Sequence, residues 1–359
     1  MRVTHRPSLF PAPRAENLAQ DADSGRDVLF DNAKFLAVVL VACGHAWAPL
    51  RADSRTIDAV YLLCSAFRMP AMILIAGYLS RHHTGSPRQI RNMVRGLVVP
   101  YLFFETAYTV FSRRTGSPGH LLTLFDPWYL MWFLPALFIW RLTVPVWKTV
   151  RHPLAVALVI ACLATLAPEL GTALDLQRVL QFLPFFVLGL HLRRSHFALL
   201  DDRRTRRAAP YAAIGALAVA YGAAPHVQAT WFRRESSAAE QGLPPWSGPV
   251  MTLALFVCAL LLVACFLACV PHRRVWFSPL GTRTAYAYLL HGFIALGAKR
   301  WGWYEHAWIH TPTGFATVTA IAVTVATLLC TAPVRQGFHW AVEPELGWMF
   351  PLANAAKTK

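Results

Sequence analysis

The chain has 359 residues, 56% of them hydrophobic and 14% charged, against about 25% charged in soluble globular proteins. That balance excludes an ordinary soluble domain, and the chain is too apolar to be disordered despite its 25 prolines. A formal charge of +16 raises nucleic acid as a partner, and the placement of the charges then removes it.

Ten apolar stretches follow one another, at about 28–50, 57–79, 96–111, 128–147, 153–168, 179–192, 209–224, 249–270, 284–298 and 313–332. A helix needs about 20 apolar residues to cross ~30 Å of hydrocarbon, so several are short and 179–192 is the weakest. The expected fold class is all-α: a polytopic membrane bundle of about ten helices. It divides into a polar N-terminal tail (1–27), a ten-span membrane domain (28–332) and a short C-terminal tail (333–359). Residues 1–27 contain no apolar core of the kind a cleavable signal needs.

The 34 Lys and Arg test that count. With the spans numbered in order, 22 fall in the two tails and in the segments after spans two, four, six and eight. Nine fall in the alternate segments, and Lys34, Arg68 and Arg141 lie inside spans. A bias of this sense predicts both termini in the cytoplasm of a multi-pass cell-membrane protein. The positive charge is therefore largely topological, and no basic soluble module remains to bind nucleic acid. All seven cysteines lie in apolar stretches without metal-ligand spacing, so neither a metal site nor a disulfide framework is expected. No internal repeat is visible.

Ionisable groups inside spans are costly and usually functional. The first span is the richest, with Asp31, Lys34 and His45. Lys34 and His45 are eleven residues apart, a net rotation of about 20°, so they share one helix face, separated by roughly 16 Å along the axis. Asp31, three residues before Lys34, can pair with it at the cytoplasmic mouth. The alternative is that Lys34 snorkels to headgroups and His45 rests near the outer interface. Span chemistry alone leaves the function open between the two.

The first span, Asp31-Asn32-Ala-Lys34 followed by His45, resembles the signature of the acyltransferase-3 family of integral-membrane O-acyltransferases. More closely, it resembles the branch that includes fucose 4-O-acetyltransferase-like proteins. The family pattern is a basic residue, ten intervening residues, then histidine. Arg68-Met69-Pro70, running on to Gly77-Tyr78, resembles the second-span pattern, with Arg68 where histidine is common. Arg88, Arg91 and Arg95 before Pro100-Tyr101 resemble the basic approach to span three. Trp132-Phe133-Leu134, Pro184-Phe185-Phe186 and Tyr286-Ala-Tyr288-Leu-Leu-His291 resemble stretches of spans four, six and nine. The order of these motifs over residues 26–335 is more specific than any one of them.

The resemblance implies transfer of an acyl group, acetyl in the first instance, from acyl-CoA as co-substrate to a hydroxyl of a sugar, glycan or glycosylated acceptor. His45 is then the general base or positions the acceptor, since imidazole titrates near neutrality. Lys34 and Asp31 supply donor-side electrostatics. Arg88, Arg91 and Arg95 are the expected sites for the phosphates of CoA, with an ordinary positive-inside loop as the alternative. Glu105 either pairs with Arg68 or Arg141 or serves the acceptor. His291 is either a hydrogen-bonded structural histidine or part of the site, and Trp132 an interfacial anchor by default. Arg273, Arg274 and Arg283 before span nine are weaker donor-side candidates, with a topological role as the default. The competing functions are a transporter of a sugar or small metabolite and a non-catalytic scaffold.

Overall fold

The computed structural model describes residues 27–116, 123–170, 173–345 and 347. The N-terminal tail up to residue 26 and the end of the C-terminal tail lie outside these. Among the described residues there are helices and no strand. In hydrocarbon only a helix satisfies its backbone within one segment, and each of the ten apolar stretches carries helix.

In chain order these are α1 (Val28–Trp47), α2 (Arg55–Leu79), α3 (Pro87–Met93), α4 (Val99–Arg114), α5 (Phe133–Leu142), α6 (Val144–Trp147), α7 (Pro153–Ala164) and α8 (Leu176–His191). They continue with α9 (Arg194–Ala198), α10 (Arg203–Ala223), α11 (Thr230–Arg233), α12 (Ser247–Cys269), α13 (Thr284–Arg300), α14 (Pro312–Leu329) and α15 (Ala332–Val342). Five helical stretches are long and apolar enough to cross a membrane: Val28–Asp53, Arg55–Leu79, Ala173–His191, Ser247–Cys269 and Pro312–Leu329. The protein is a multi-pass helical bundle. The stretch at 179–192, weakest in the sequence, is among the five because helix begins upstream of its apolar run.

The stretch at 128–147 is not one long helix. Residues 128–132 are turn, α5 has ten residues, and α6 follows after a break. Prolines explain this. Pro135 lies in the first turn of α5, where a missing N–H is harmless, and Pro145 begins α6 instead of continuing α5. Tyr129 takes a left-handed conformation, φ 59°.

Helices α1, α2, α8 and α13 form the interior, with α14 against α1 and α13, α7 against α8, and α10 against α2 and α12. The crossing of α2 and α8 depends on glycine. A Cβ at Gly77 would overlap the Phe186 carbonyl, and one at Gly189 the Leu74 carbonyl. Small residues at such crossings let backbones meet directly. On the outer faces, Val159 and Leu163 of α7, Val219 of α10 and Val257 and Leu261 of α12 are exposed, as expected of surface that meets acyl chains.

Two polar devices fix α1. At its N-terminal end Asn32, fully buried, donates through Nδ2 to the carbonyls of Pro271 (2.7 Å) and Arg273 (3.1 Å) and accepts from the Ser278 hydroxyl (2.7 Å). Towards its outer end Trp47 Nε1 donates to Thr319 on α14 (2.8 Å), and the Tyr304 hydroxyl donates to the Ala46 carbonyl (2.9 Å). The outer segment is closed by His310. Its Nδ1 meets Asp53 (2.5 Å), and its Nε2 donates to the Tyr304 carbonyl (2.7 Å).

Gly189→Leu is expected to force α8 off α2, at a cost of about 3 kcal/mol, seen as a lower Tm of the detergent-solubilised protein. The Asp53 hydrogen bond, then the Tyr304 carbonyl, raise the His310 pKa above its ordinary value. A raised folded pKa gives stability that is complete below the unfolded pKa of about 6.5 and is lost as pH rises through the folded value. Between about pH 6 and 9 the Tm of the native protein should therefore fall more steeply than that of Asp53→Asn; parallel curves would contradict the pairing.

Candidate functional site

His45 lies in the last turn of α1, facing inward. Its ring is 5.3 Å, centroid to centroid, from His291 of α13 and 4.7 Å from Tyr129. Neither His45 nitrogen has a hydrogen-bond partner among the described residues. The His291 Nδ1 stands 2.8 Å from the Ala287 carbonyl. A carbonyl only accepts, so Nδ1 carries the proton and Nε2 keeps its lone pair. That Nε2 is buried without a partner.

Three cavities lie around the two imidazoles: one is lined by His45, one by His291, and one adjoins the first at Tyr288. The first, about 110 Å³ and polar, holds His45, Ser65, Arg68, Tyr129, Trp132 and Arg178. Arg68 reaches it from α2, its guanidinium packed so closely on α1 that a Cβ at Gly44 would overlap it. Arg68 Nη1 and Ser65 Oγ are buried without hydrogen bonds. Arg178 is instead held by Asp175 and Glu235 and lies 5.3 Å over the Trp132 ring. Trp132 is 8% exposed and stacks on Phe182 at 5.4 Å, so it is a wall of this cavity and not an interfacial anchor.

The second cavity, about 300 Å³, extends towards the Lys34 end of α1. Lys34 and Arg141 lie along it with Gly96, Leu97 and Phe133, and Tyr288 lines both it and the polar cavity. The Tyr288 hydroxyl donates to the Leu130 carbonyl. Lys34 is paired with Asp31 at 2.8 Å. Beyond Asp31, a pocket of about 320 Å³ is lined by Arg274, Ser278 and Arg283. The third cavity, about 390 Å³ and largely apolar, touches His291 from the outer half of the bundle.

The model of the acyltransferase-3 family, described as an acyltransferase domain, matches residues 28–331. The chain belongs to the acyltransferase-3 family. No curated protein and no solved structure matches it. The protein is thus a membrane-embedded acyltransferase whose matched region is the whole helical bundle from α1 to the end of α14.

Within this acyltransferase the residues singled out in the sequence separate into two groups. His45, Arg68 and Trp132 line one cavity, with His291 against His45 and with Lys34, paired to Asp31, in the adjoining cavity. Arg88, Arg91 and Arg95 line none of the cavities. Arg88 is exposed on α3, and Arg95 lies in a π turn, Val94–Val98, where its Nη2 donates to the Glu343 carbonyl (3.2 Å). The π turn breaks the regular spacing that would put the three on one face. Glu105 pairs with neither Arg68 nor Arg141. Fully buried, its carboxylate accepts the Trp128 N–H at 3.1 and 3.2 Å, and Arg141 donates instead to Ser80 (3.1 Å). Glu105 thereby holds the non-helical turn that carries Tyr129. Tyr129, Ser65 and Arg178 carried no distinguishing signal in the sequence. Arg141 did, as one of only three basic residues inside spans.

Glu105→Leu should leave the Trp128 N–H unsatisfied and lower stability by about 1–3 kcal/mol. Glu105→Gln, which keeps one acceptor, should recover most of this in thermal unfolding. Equal losses in both would mean that the negative charge, and not the hydrogen bond, is what the turn requires.

Proposed function

We propose that this acyltransferase is an O-acetyltransferase of the cell membrane. It moves the acetyl group of acetyl-CoA onto a hydroxyl of a sugar or glycosylated acceptor, as in the fucose 4-O-acetyltransferase-like branch its motifs resemble. The observation that carries the reading is the pair of unengaged groups in the polar cavity: the open His45 imidazole and the unpaired Arg68 Nη1. The guanidinium lies over the Tyr61 ring at 5.4 Å, yet a buried N–H left without an acceptor costs free energy unless it serves a charge that appears during the reaction.

The donor's pantetheine arm extends along the cavity of Lys34, Arg141 and Tyr288, with its thioester at His45. The phosphates stay on the cytoplasmic side, where Lys34, Arg274 and Arg283 are better placed to meet them than Arg88, Arg91 or Arg95. His45 accepts the acceptor's hydroxyl proton as that oxygen attacks the thioester carbon. Arg68 stabilises the oxyanion of the tetrahedral intermediate. Collapse breaks the C–S bond, and the imidazolium returns the proton to the leaving thiolate, giving the ester and CoA. Family membership weighs against the transporter reading.

Membranes carrying the protein should transfer labelled acetyl from acetyl-CoA to a glycoside hydroxyl. His45→Ala should lower kcat by about 10²–10⁴. Arg68→Gln should lower it by roughly 10² while the KM for acetyl-CoA stays the same. Unimpaired transfer by His45→Ala would remove the mechanism.

A further inference from the structure

The largely apolar cavity beside His291 takes no part in the donor route. It lies between α13, α14 and the 303–310 segment, opens to one side, and at about 390 Å³ falls in the ~300–1,000 Å³ range of small-molecule sites. Ala42, Ala295, Ala322 and Val325 form its walls. At its inner end stands His291, 3% exposed, with the unpartnered Nε2. Ile294 and Ile321 at its mouth are exposed on the two helices, and Trp303 and Trp308 are exposed at its outer edge, the depth at which indole rings meet headgroups.

We infer that this cavity receives the apolar portion of the acceptor. The acceptor is then an amphipathic glycoside with an alkyl or prenyl chain, which enters sideways from the outer leaflet between α13 and α14. The inference rests on the acyltransferase reading above and narrows its substrate class. Three observations favour the acceptor over the donor as occupant. The donor route approaches from the opposite side, past Lys34 and Tyr288. The cavity is far larger than an acetyl group. A slot that measured a donor's acyl chain would close around it, whereas this one counts the exposed Ile294 and Ile321 among its lining residues. With its chain there, the acceptor's hydroxyl reaches the junction of His45 and His291, 5.3 Å apart, and its ring turns into the polar cavity.

The test compares octyl β-glucoside with methyl β-glucoside as acceptors of labelled acetyl, in phosphatidylcholine nanodiscs, for the native protein and for Ala295→Phe, which fills the cavity. Ala295→Leu replaces it if phenylalanine prevents folding. Donor binding is followed separately as the thermal shift given by CoA. Ala295→Phe should raise the KM for octyl glucoside at least about tenfold, the loss of roughly two buried methylenes. The KM for methyl glucoside and the CoA shift should not move. Comparing variants on one acceptor cancels its partition into the bilayer. An unchanged octyl glucoside KM overturns the inference. So does a variant that discriminates against octanoyl-CoA relative to acetyl-CoA yet spares octyl glucoside, which would assign the cavity to the donor's acyl chain. Transfer to neither glucoside with the CoA shift intact overturns the glycoside class alone. Loss of the CoA shift as well takes the acyltransferase reading with it.

Discussion

Hydrocarbon cannot hydrogen bond, so every polar group placed within the bundle must find its partner inside the protein. Most of the buried polar side chains here obey that constraint. Asn32 spends both ends of its amide on the segment before α13, and Glu105 holds the turn at Trp128. Arg234, 4% exposed, donates to the Gln181 carbonyl and lies over Phe182 and Phe185. Among the buried side-chain atoms without a hydrogen bond are those of Ser65, Arg68 and His291. They come from α2 and α13, and they meet at the His45 end of α1.

The arrangement also gives the protein a direction. Charged groups cluster at the N-terminal end of α1, Lys34 with Asp31 and Arg274 with Arg283, and Lys34 shares a cavity with Tyr288. On the other side of the imidazoles the surroundings divide into a small polar space and a larger apolar one. Charged and apolar surroundings thus lie on different sides of the point where His45 and His291 meet. Close helix contacts keep that point in place: the glycine crossing of α2 with α8, and the packing of Arg68 on Gly44.

Irregular backbone at this depth is tolerated where it lines a cavity or is buried in protein, which accounts for the turn at residues 128–132. Hydropathy reads that turn as membrane span because Trp128, Tyr129, Leu130, Met131 and Trp132 are as apolar as any helix. Its departure from helix is set by proline positions and by a carboxylate from another segment, Glu105. The basic run at Arg88, Arg91 and Arg95 lines none of the cavities described above for a related reason. Helical spacing predicts a shared face, and the π turn at Val94–Val98 removes the regularity on which that expectation depends.

The sequence by itself determined the class of fold, because apolar runs in a bilayer have no alternative to helix. It also put Lys34 and His45 on one face, since that follows from helical period alone. The family signature in the first span likewise survives without coordinates. What only the tertiary structure decided is which distant groups keep that histidine company. Arg68, Tyr129 and His291 come from segments separated by tens to hundreds of residues, and no periodicity links them. Nor could spacing say whether a buried ionisable side chain is satisfied, as Glu105 is, or left open, as Arg68 is. That depends on which carbonyl or amide another helix delivers to within about 3 Å.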